Sequence, residues 1–335
     1  LFLAGEWVET AHTRESRAPG SGRLLGEVCL AGEAEVERAA AAAHDARLAL
    51  AALTSGERAE LLSRLAGELE ADRAGFAELI SAEAGKPLAL AQAEVTRGLQ
   101  TLQIAAEEAV RIEGRVLPLD RTLKGRDRIG ISRRFPVGPV LGITPFNFPL
   151  NLALHKLAPA LAAGCPIVLK GADQTPLVLL RLAERFAHIG APAGALSVVN
   201  AEIPLAERLV RDPRFALLSF TGSPQVGFLL KSICGRKRVV LELGGNAAVY
   251  VDRSADLDHA AERIAFGALA YSGQVCISVQ RIYAHTAIYE GLRARLKARF
   301  ESARAGSADD PDVTVVPLID ERAAEWIMCP TTANL

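Results

Sequence analysis

Cys276 sits behind a glycine in Gly273-Gln274-Val275-Cys276, and two motifs upstream carry groups that would complete its chemistry. Glu242 opens Glu242-Leu243-Gly244-Gly245-Asn246, a carboxylate beside a glycine pair, and Asn147 lies in Pro145-Phe146-Asn147-Phe148-Pro149, an amide held between prolines. A thiolate attacks a carbonyl carbon well, but a free thiol of pKa about 8.5 is mostly protonated at neutral pH. A bare cysteine is more often a small buried hydrophobe, so the combination is what counts. Attack on an aldehyde leaves a tetrahedral alkoxide. One amide N–H of Asn147 and the backbone N–H of Cys276 could receive it, each worth about 3 kcal/mol. A water activated by Glu242 could then release the thioester as a free acid. Nucleophile, oxyanion donor and base are the parts that covalent oxidation of an aldehyde requires.

Composition supports an enzyme of ordinary globular type. The chain has 335 residues, 38 Lys+Arg against 39 Asp+Glu, and half of its residues are apolar. Two domains are expected at this length. Without a basic or acidic block, charge gives no reason to expect nucleic acid or a membrane surface as a partner. The cysteines at 29, 165, 234, 276 and 329 form no CxxC pair or Cys/His cluster, so no metal is expected. Cys29, Cys165, Cys234 and Cys329 read as structural. The N-terminal run Leu1 to Trp7 lacks a signal peptide's charged region, and a reducing, cytoplasmic location is the simpler expectation.

The elements that must position the three groups are legible in outline. Residues 33–112 are mostly helical in pattern, with a helix start at Ser55-Gly56-Glu57 and Leu61, Leu62, Leu65 and Leu69 at helical spacing. Residues 115–135 read as an extended excursion. From 137, short apolar strands (140–143, 167–169, 196–199, 216–220) alternate with helices, which implies a parallel sheet covered on both faces. A second unit begins near Gly244-Gly245, with a strand at 247–251, a helix at 256–270, a strand at 281–284 and a helix at 287–303. Phe220-Thr221-Gly222-Ser223-Pro224-Gln225-Val226-Gly227 follows a strand and opens a helix, where backbone amides favour a pyrophosphate.

These motifs, in this order, resemble the NAD(P)-dependent aldehyde dehydrogenases, closest to the lactaldehyde, phosphonoacetaldehyde and non-phosphorylating glyceraldehyde-3-phosphate types. The resemblance implies an α/β fold with a parallel-sheet NAD-binding domain over 1–243, carrying an oligomerisation hairpin at 115–135, and an α/β catalytic domain over 244–335. It implies that Thr144, Pro145, Phe146, Lys170, Asp173, Gly222, Ser223, Gly227 and Gly244 contact the coenzyme, with Lys170 and Asp173 at the adenosine ribose. Arg97 and His155 resemble positions that face the substrate channel in relatives acting on small anionic or hydroxylated aldehydes. A homodimer or homotetramer is implied for the complete family form.

Two departures follow. The family's usual Lys-Pro-Ser-Glu is here Lys170-Gly171-Ala172-Asp173. A carboxylate suits the 2′-hydroxyl of NAD and repels the 2′-phosphate of NADP, so NAD is expected over NADP, the shorter Asp making the preference loose. The resemblance also stops near Ile327; Trp326 to Leu335 shows neither helical nor strand periodicity, and a truncated catalytic domain is expected. Beside hydrolytic aldehyde oxidation stand two other readings. One is a nucleotide-binding remnant with little turnover; the other is a coenzyme A-acylating dehydrogenase, which Glu242 disfavours.

Overall fold

The computed structural model describes residues 1–310 and 312–328. Strands β1 (Phe2–Leu3) and β2 (Glu6–Trp7) precede a hairpin of β3 (Thr13–Arg17) and β4 (Leu24–Cys29). Four helices follow: α1 (Glu33–Ala52), α2 (Ser55–Ala71), α3 (Arg73–Ala84) and α4 (Leu88–Ala109). Thr54 caps α2, its hydroxyl accepting from the Glu57 N–H at 3.2 Å while Glu57 reaches back to the Thr54 N–H at 2.7 Å. Leu61, Leu62, Leu65 and Leu69 form the buried face of α2, each worth about 1.5–3 kcal/mol of burial.

After a hairpin of β5 (Arg115–Leu117) and β6 (Gly130–Ser132) comes the alternating region: β7 (Val140–Ile143), α5 (Asn151–Ala162), β8 (Ile167–Lys170), α6 (Pro176–Ala187), β9 (Leu196–Val199), α7 (Ile203–Arg211), β10 (Leu217–Gly222), α8 (Pro224–Ile233) and β11 (Arg238–Leu243). The seven-stranded sheet runs β11-β10-β7-β8-β9-β1-β2. Strands β7 to β11 are parallel, whereas β1 lies antiparallel on β9 and β2 antiparallel on β1. The expected parallel sheet is therefore extended by an antiparallel N-terminal edge. One core packs α2, α4, α5 and α6 on one face, and a second packs α1, α7 and α8 on the other.

Because β8 and β10 flank β7 on opposite sides, the order reverses between β7 and β10. A crevice opens outside the carboxyl ends of such strands, the usual ligand position in open α/β sheets. The segments after β7 and β10 are Thr144 to Pro149 and Ser223.

Beyond β11 lie β12 (Ala247–Val251), α9 (Leu257–Leu269), β13 (Val279–Ala284), α10 (Tyr289–Glu301) and α11 (Glu321–Met328). Strands β12 and β13 pair in parallel, and Val251, Ala261, Ile264, Leu292 and Leu296 form a small core with α9 and α10. Trp326 to Met328 lie in α11, which corrects the reading of this stretch as lacking helical character. Cys329 and the residues after it lie outside the described residues. Among the described residues, no helix is long and apolar enough to cross a membrane.

Candidate active site

The turn before Cys276 is unusual at the backbone level. Tyr271, Ser272 and Gly273 are three consecutive residues in the left-handed region, at φ 51°, 56° and 76°. Only the glycine takes that conformation without steric cost, so the other two must be held. The Tyr271 hydroxyl donates to the Ala84 carbonyl at the end of α3. The Ser272 hydroxyl donates to the Val316 carbonyl at 2.7 Å and accepts from the Val316 N–H at 2.8 Å. The Gln274 side-chain oxygen accepts from the Ile319 N–H at 2.9 Å. Segment 313–319 thus straps the turn in place.

Cys276 itself is exposed, unlike the buried Cys165 and Cys234 and the half-buried Cys29, so it is not a packing thiol. Its backbone N–H has no hydrogen-bond partner among the described residues. Asn147 is tied to the same turn: its side-chain nitrogen donates to the Gln274 carbonyl at 2.8 Å. One of its two N–H groups is thereby spent and the other remains. Its side-chain oxygen is buried without a partner. A Cβ at Gly245 would lie 3.5 Å from the Cys276 carbonyl, so the glycine pair after Glu242 runs alongside the thiol's own backbone.

Glu242 is exposed near the end of β11, in register with Thr221 of β10. Lys156, from α5, crosses beneath these strand ends and donates to Thr221 Oγ1 at 2.8 Å and Ser219 Oγ at 3.2 Å. Burial pushes the Lys156 ammonium down to about 8, partly opposed by the charge of Glu242. His155, next to it, is held below its ordinary value by burial and then by the charges of Arg97 and Lys156, with Glu242 opposing. Arg97 is exposed and has no ion-pair partner among the described residues. The substrate candidates Arg97 and His155 therefore share one electrostatic neighbourhood with the base candidate Glu242.

On the coenzyme side, Thr144 is buried at the end of β7 with its hydroxyl unpartnered, an orphan acceptor and donor at the mouth of the crevice. Ser223 is the N-cap of α8, accepting from the Val226 N–H at 3.3 Å. At Gly227 a Cβ would lie 2.6 Å from Leu243 Cδ2, so the glycine lets α8 pack onto β11. Gly222 likewise faces the Phe220 ring, 2.6 Å from a Cβ, whereas Gly244 meets only Pro224 at 3.7 Å. Pro145 and Phe146 are half-buried beside Thr144. Asp173 is not free. Lys170 Nζ donates to one of its oxygens at 2.7 Å and Arg14 holds the other at 2.8 Å. Burial raises the Asp173 carboxyl, but these two cations outweigh it and hold the group below the usual range. An unpartnered hydroxyl, a capped helix start and a cation-flanked carboxylate around one crevice fit a nicotinamide dinucleotide.

Four groups escape a reading of the sequence alone. Lys156, Lys86 and Glu94 are charged residues on apolar helical stripes or their approach: Glu94 lies between buried Ala91 and Gly98 on α4, and Lys156 between Ala153 and Ala160 on α5. That violation of pattern is the signal that could have found them. Arg14, from a distant hairpin, had none.

Residues 7–330 match the aldehyde dehydrogenase family. The chain belongs to that family. It is 40% identical over 332 residues to the 3-sulfolactaldehyde dehydrogenase of Priestia megaterium, covering 98% of this chain and 69% of that protein. It is 36% identical to the NADP-dependent glyceraldehyde-3-phosphate dehydrogenase of Streptococcus equinus, over 97% of this chain and 69% of the relative. Aldehyde dehydrogenase 21 of Physcomitrella patens, whose crystal structure holds the reaction product succinate, superposes with a TM-score of 0.94 at 38% identity, over 97% of this chain and 68% of that one. This aldehyde dehydrogenase is thus an oxidoreductase of the NAD(P)-dependent kind that converts aldehydes to carboxylic acids.

Proposed function

We propose that this aldehyde dehydrogenase oxidises a short aldehyde with an anionic tail and prefers NAD. The observation that carries the reading is the meeting of Arg97, His155, Lys156 and Glu242 in one neighbourhood, with Arg97 unpaired among the described residues. An unpaired guanidinium in this neighbourhood is suited to a carboxylate, phosphate or sulfonate through charge-assisted hydrogen bonds. The relatives named above act on, or hold, anionic compounds of this kind, which supports the same class here.

In this reading Cys276 adds to the aldehyde carbon, and the oxyanion is met by the free N–H of Asn147 and the Cys276 amide. The nicotinamide coenzyme, held near Thr144 to Phe146, Lys170, Asp173, Gly222, Ser223, Gly227 and Gly244, supplies the hydride acceptor when bound. Glu242 then takes a proton from the water that cleaves the Cys276 thioester. Lys156 holds the end of β10 through Ser219 and Thr221 and places its charge in the neighbourhood of Glu242. We divide the chain functionally at 243/244, with the coenzyme unit before and the thiol-bearing unit after. The hairpin of β5 and β6 leaves Val116, Ile129 and Ile131 exposed, which supports its use between subunits of a homo-oligomer. Free thiols at all four described cysteines are what a reducing cytoplasm maintains.

The test is a matched pair of aldehydes of equal length, one ending in a carboxylate or phosphate and one in a methyl group. The charged aldehyde should show the higher kcat/KM, and Arg97→Gln should lower that value about 10- to 100-fold while leaving the neutral aldehyde unchanged. Strong activity on long alkyl aldehydes beside weak activity on charged ones would reject the assignment.

A further inference from the structure

One buried ion pair has no part in the chemistry above, yet it touches both segments that carry it. Lys86 follows Gly85, the left-handed cap that ends α3 at φ 62°. Ser81 fixes its backbone from both directions: the Lys86 N–H donates to the Ser81 carbonyl at 3.2 Å, and the Ser81 hydroxyl donates to the Lys86 carbonyl at 2.7 Å. The side chain is fully buried, and its ammonium donates to the equally buried carboxylate of Glu94. The second oxygen of Glu94 accepts from the N–H groups of Leu150 at 3.0 Å and Asn151 at 3.1 Å, at the start of α5. The same ammonium lies 3.9 Å from the ring centroid of Phe148, the neighbour of Asn147, and 5.0 Å from that of Tyr271. Tyr271 is the first of the three left-handed residues that lead into Cys276.

A pair like this is a poor way to gain stability. Removing two charges from water costs several kcal/mol per ion, and an apolar pair of the same volume often does as well. What the pair supplies is direction. A cation between two ring faces and a carboxylate over two helix-start amides each tolerate few geometries. The left-handed Tyr271 and Ser272 persist only where their surroundings over-determine them. We infer that the Lys86–Glu94 pair is a positioning element that sets the Asn147 loop and the Cys276 turn relative to each other, aiming amide donor and thiol at one carbonyl carbon. Both residues act through Phe148, Tyr271 and the start of α5 and do not touch substrate. The inference rests on the reading of Cys276 and Asn147 given above.

The experiment compares Lys86→Met, Tyr271→Phe and their double variant with the unaltered chain, measuring kcat and KM separately and amide hydrogen exchange over 147–151 and 271–278. Each single change should lower kcat about 10- to 100-fold with KM for the coenzyme held within about two-fold. The double variant should lose less than the product of the singles, because both act on one turn. Exchange should quicken in both segments together. Wild-type kcat, independent multiplication of the two losses, or loosening of only one segment would overturn the inference. If Lys86→Met does not fold, Lys86→Arg keeps the charge on Glu94 and changes only the head group over the rings. The same split in smaller measure is then expected, and wild-type exchange in both segments refutes it. A Cys276→Ala control separates the failures: turnover surviving there sinks the mechanism, whereas Cys276-dependent turnover untouched by the Lys86 and Tyr271 changes sinks only the role of the pair.

Discussion

Around Cys276 the supports are buried or nearly so: a hidden ion pair, a tyrosine hydroxyl on a helix-end carbonyl, and a serine bonded twice to Val316. Around Asp173 they are half-exposed charges, with Lys170 and Arg14 sharing one carboxylate and Arg14 also reaching Glu202 at 3.4 Å. The first arrangement fixes a geometry, because buried polar links have no solvent to fall back on. The second tunes a preference, because screened, mobile charges are each worth only about 0–1 kcal/mol. One end of the site is made to be rigid and the other to be adjustable.

The sharpest way to break that contrast is at Asn147. With one N–H already on the Gln274 carbonyl, Asn147→Ala removes both an oxyanion donor and a tie to the nucleophile turn. A kcat loss of about 100- to 1,000-fold is expected in steady-state assays; a loss below about ten-fold would mean that the amide only shapes the loop. At the other end the expected effects are smaller and differ in kind. Because Lys170 and Arg14 partly neutralise Asp173, the repulsion of a 2′-phosphate is weakened. Asp173→Ser should shift the ratio of kcat/KM for NADP over NAD upward by about ten-fold. Arg14→Gln should move it downward by a few-fold, since it frees the carboxylate and removes a cation. Titration of NADP by quenching of protein fluorescence reads the same shifts without turnover. Unchanged ratios in both variants would place the determinant of coenzyme choice elsewhere.

What the sequence announces and what it conceals follow from the range of the interactions. The Leu61 to Leu69 stripe, the helix start at Ser55-Gly56-Glu57, and the alternation of strands and helices from 140 to 220 are local patterns, and each appears in the structure within a residue or two. Strands β1 and β2 are two residues each, too short to show a period; β1 is created by pairing with β9 almost two hundred positions away, and β2 by pairing with β1. The helix holding Trp326 to Met328 is also short, at eight residues. Within the site, Cys276, Asn147 and Glu242 are visible because motif surrounds them. Lys86, Glu94 and Arg14 are not, because their meaning depends on which rings and carboxylates the fold brings to them. At Gly227 the sequence shows a nucleotide-type turn, and the fold adds what the sequence does not, the room that glycine leaves for Leu243.

The central claim is that Cys276 is the nucleophile of an aldehyde oxidation that this chain performs. The most direct test follows the appearance of reduced coenzyme when the purified chain is given NAD and a short anionic aldehyde, with Cys276→Ala in parallel. The account predicts turnover in the unaltered chain and its loss in the variant, with NAD still bound by both. Equal turnover in the two, or NAD binding without any turnover in the unaltered chain, would contradict it.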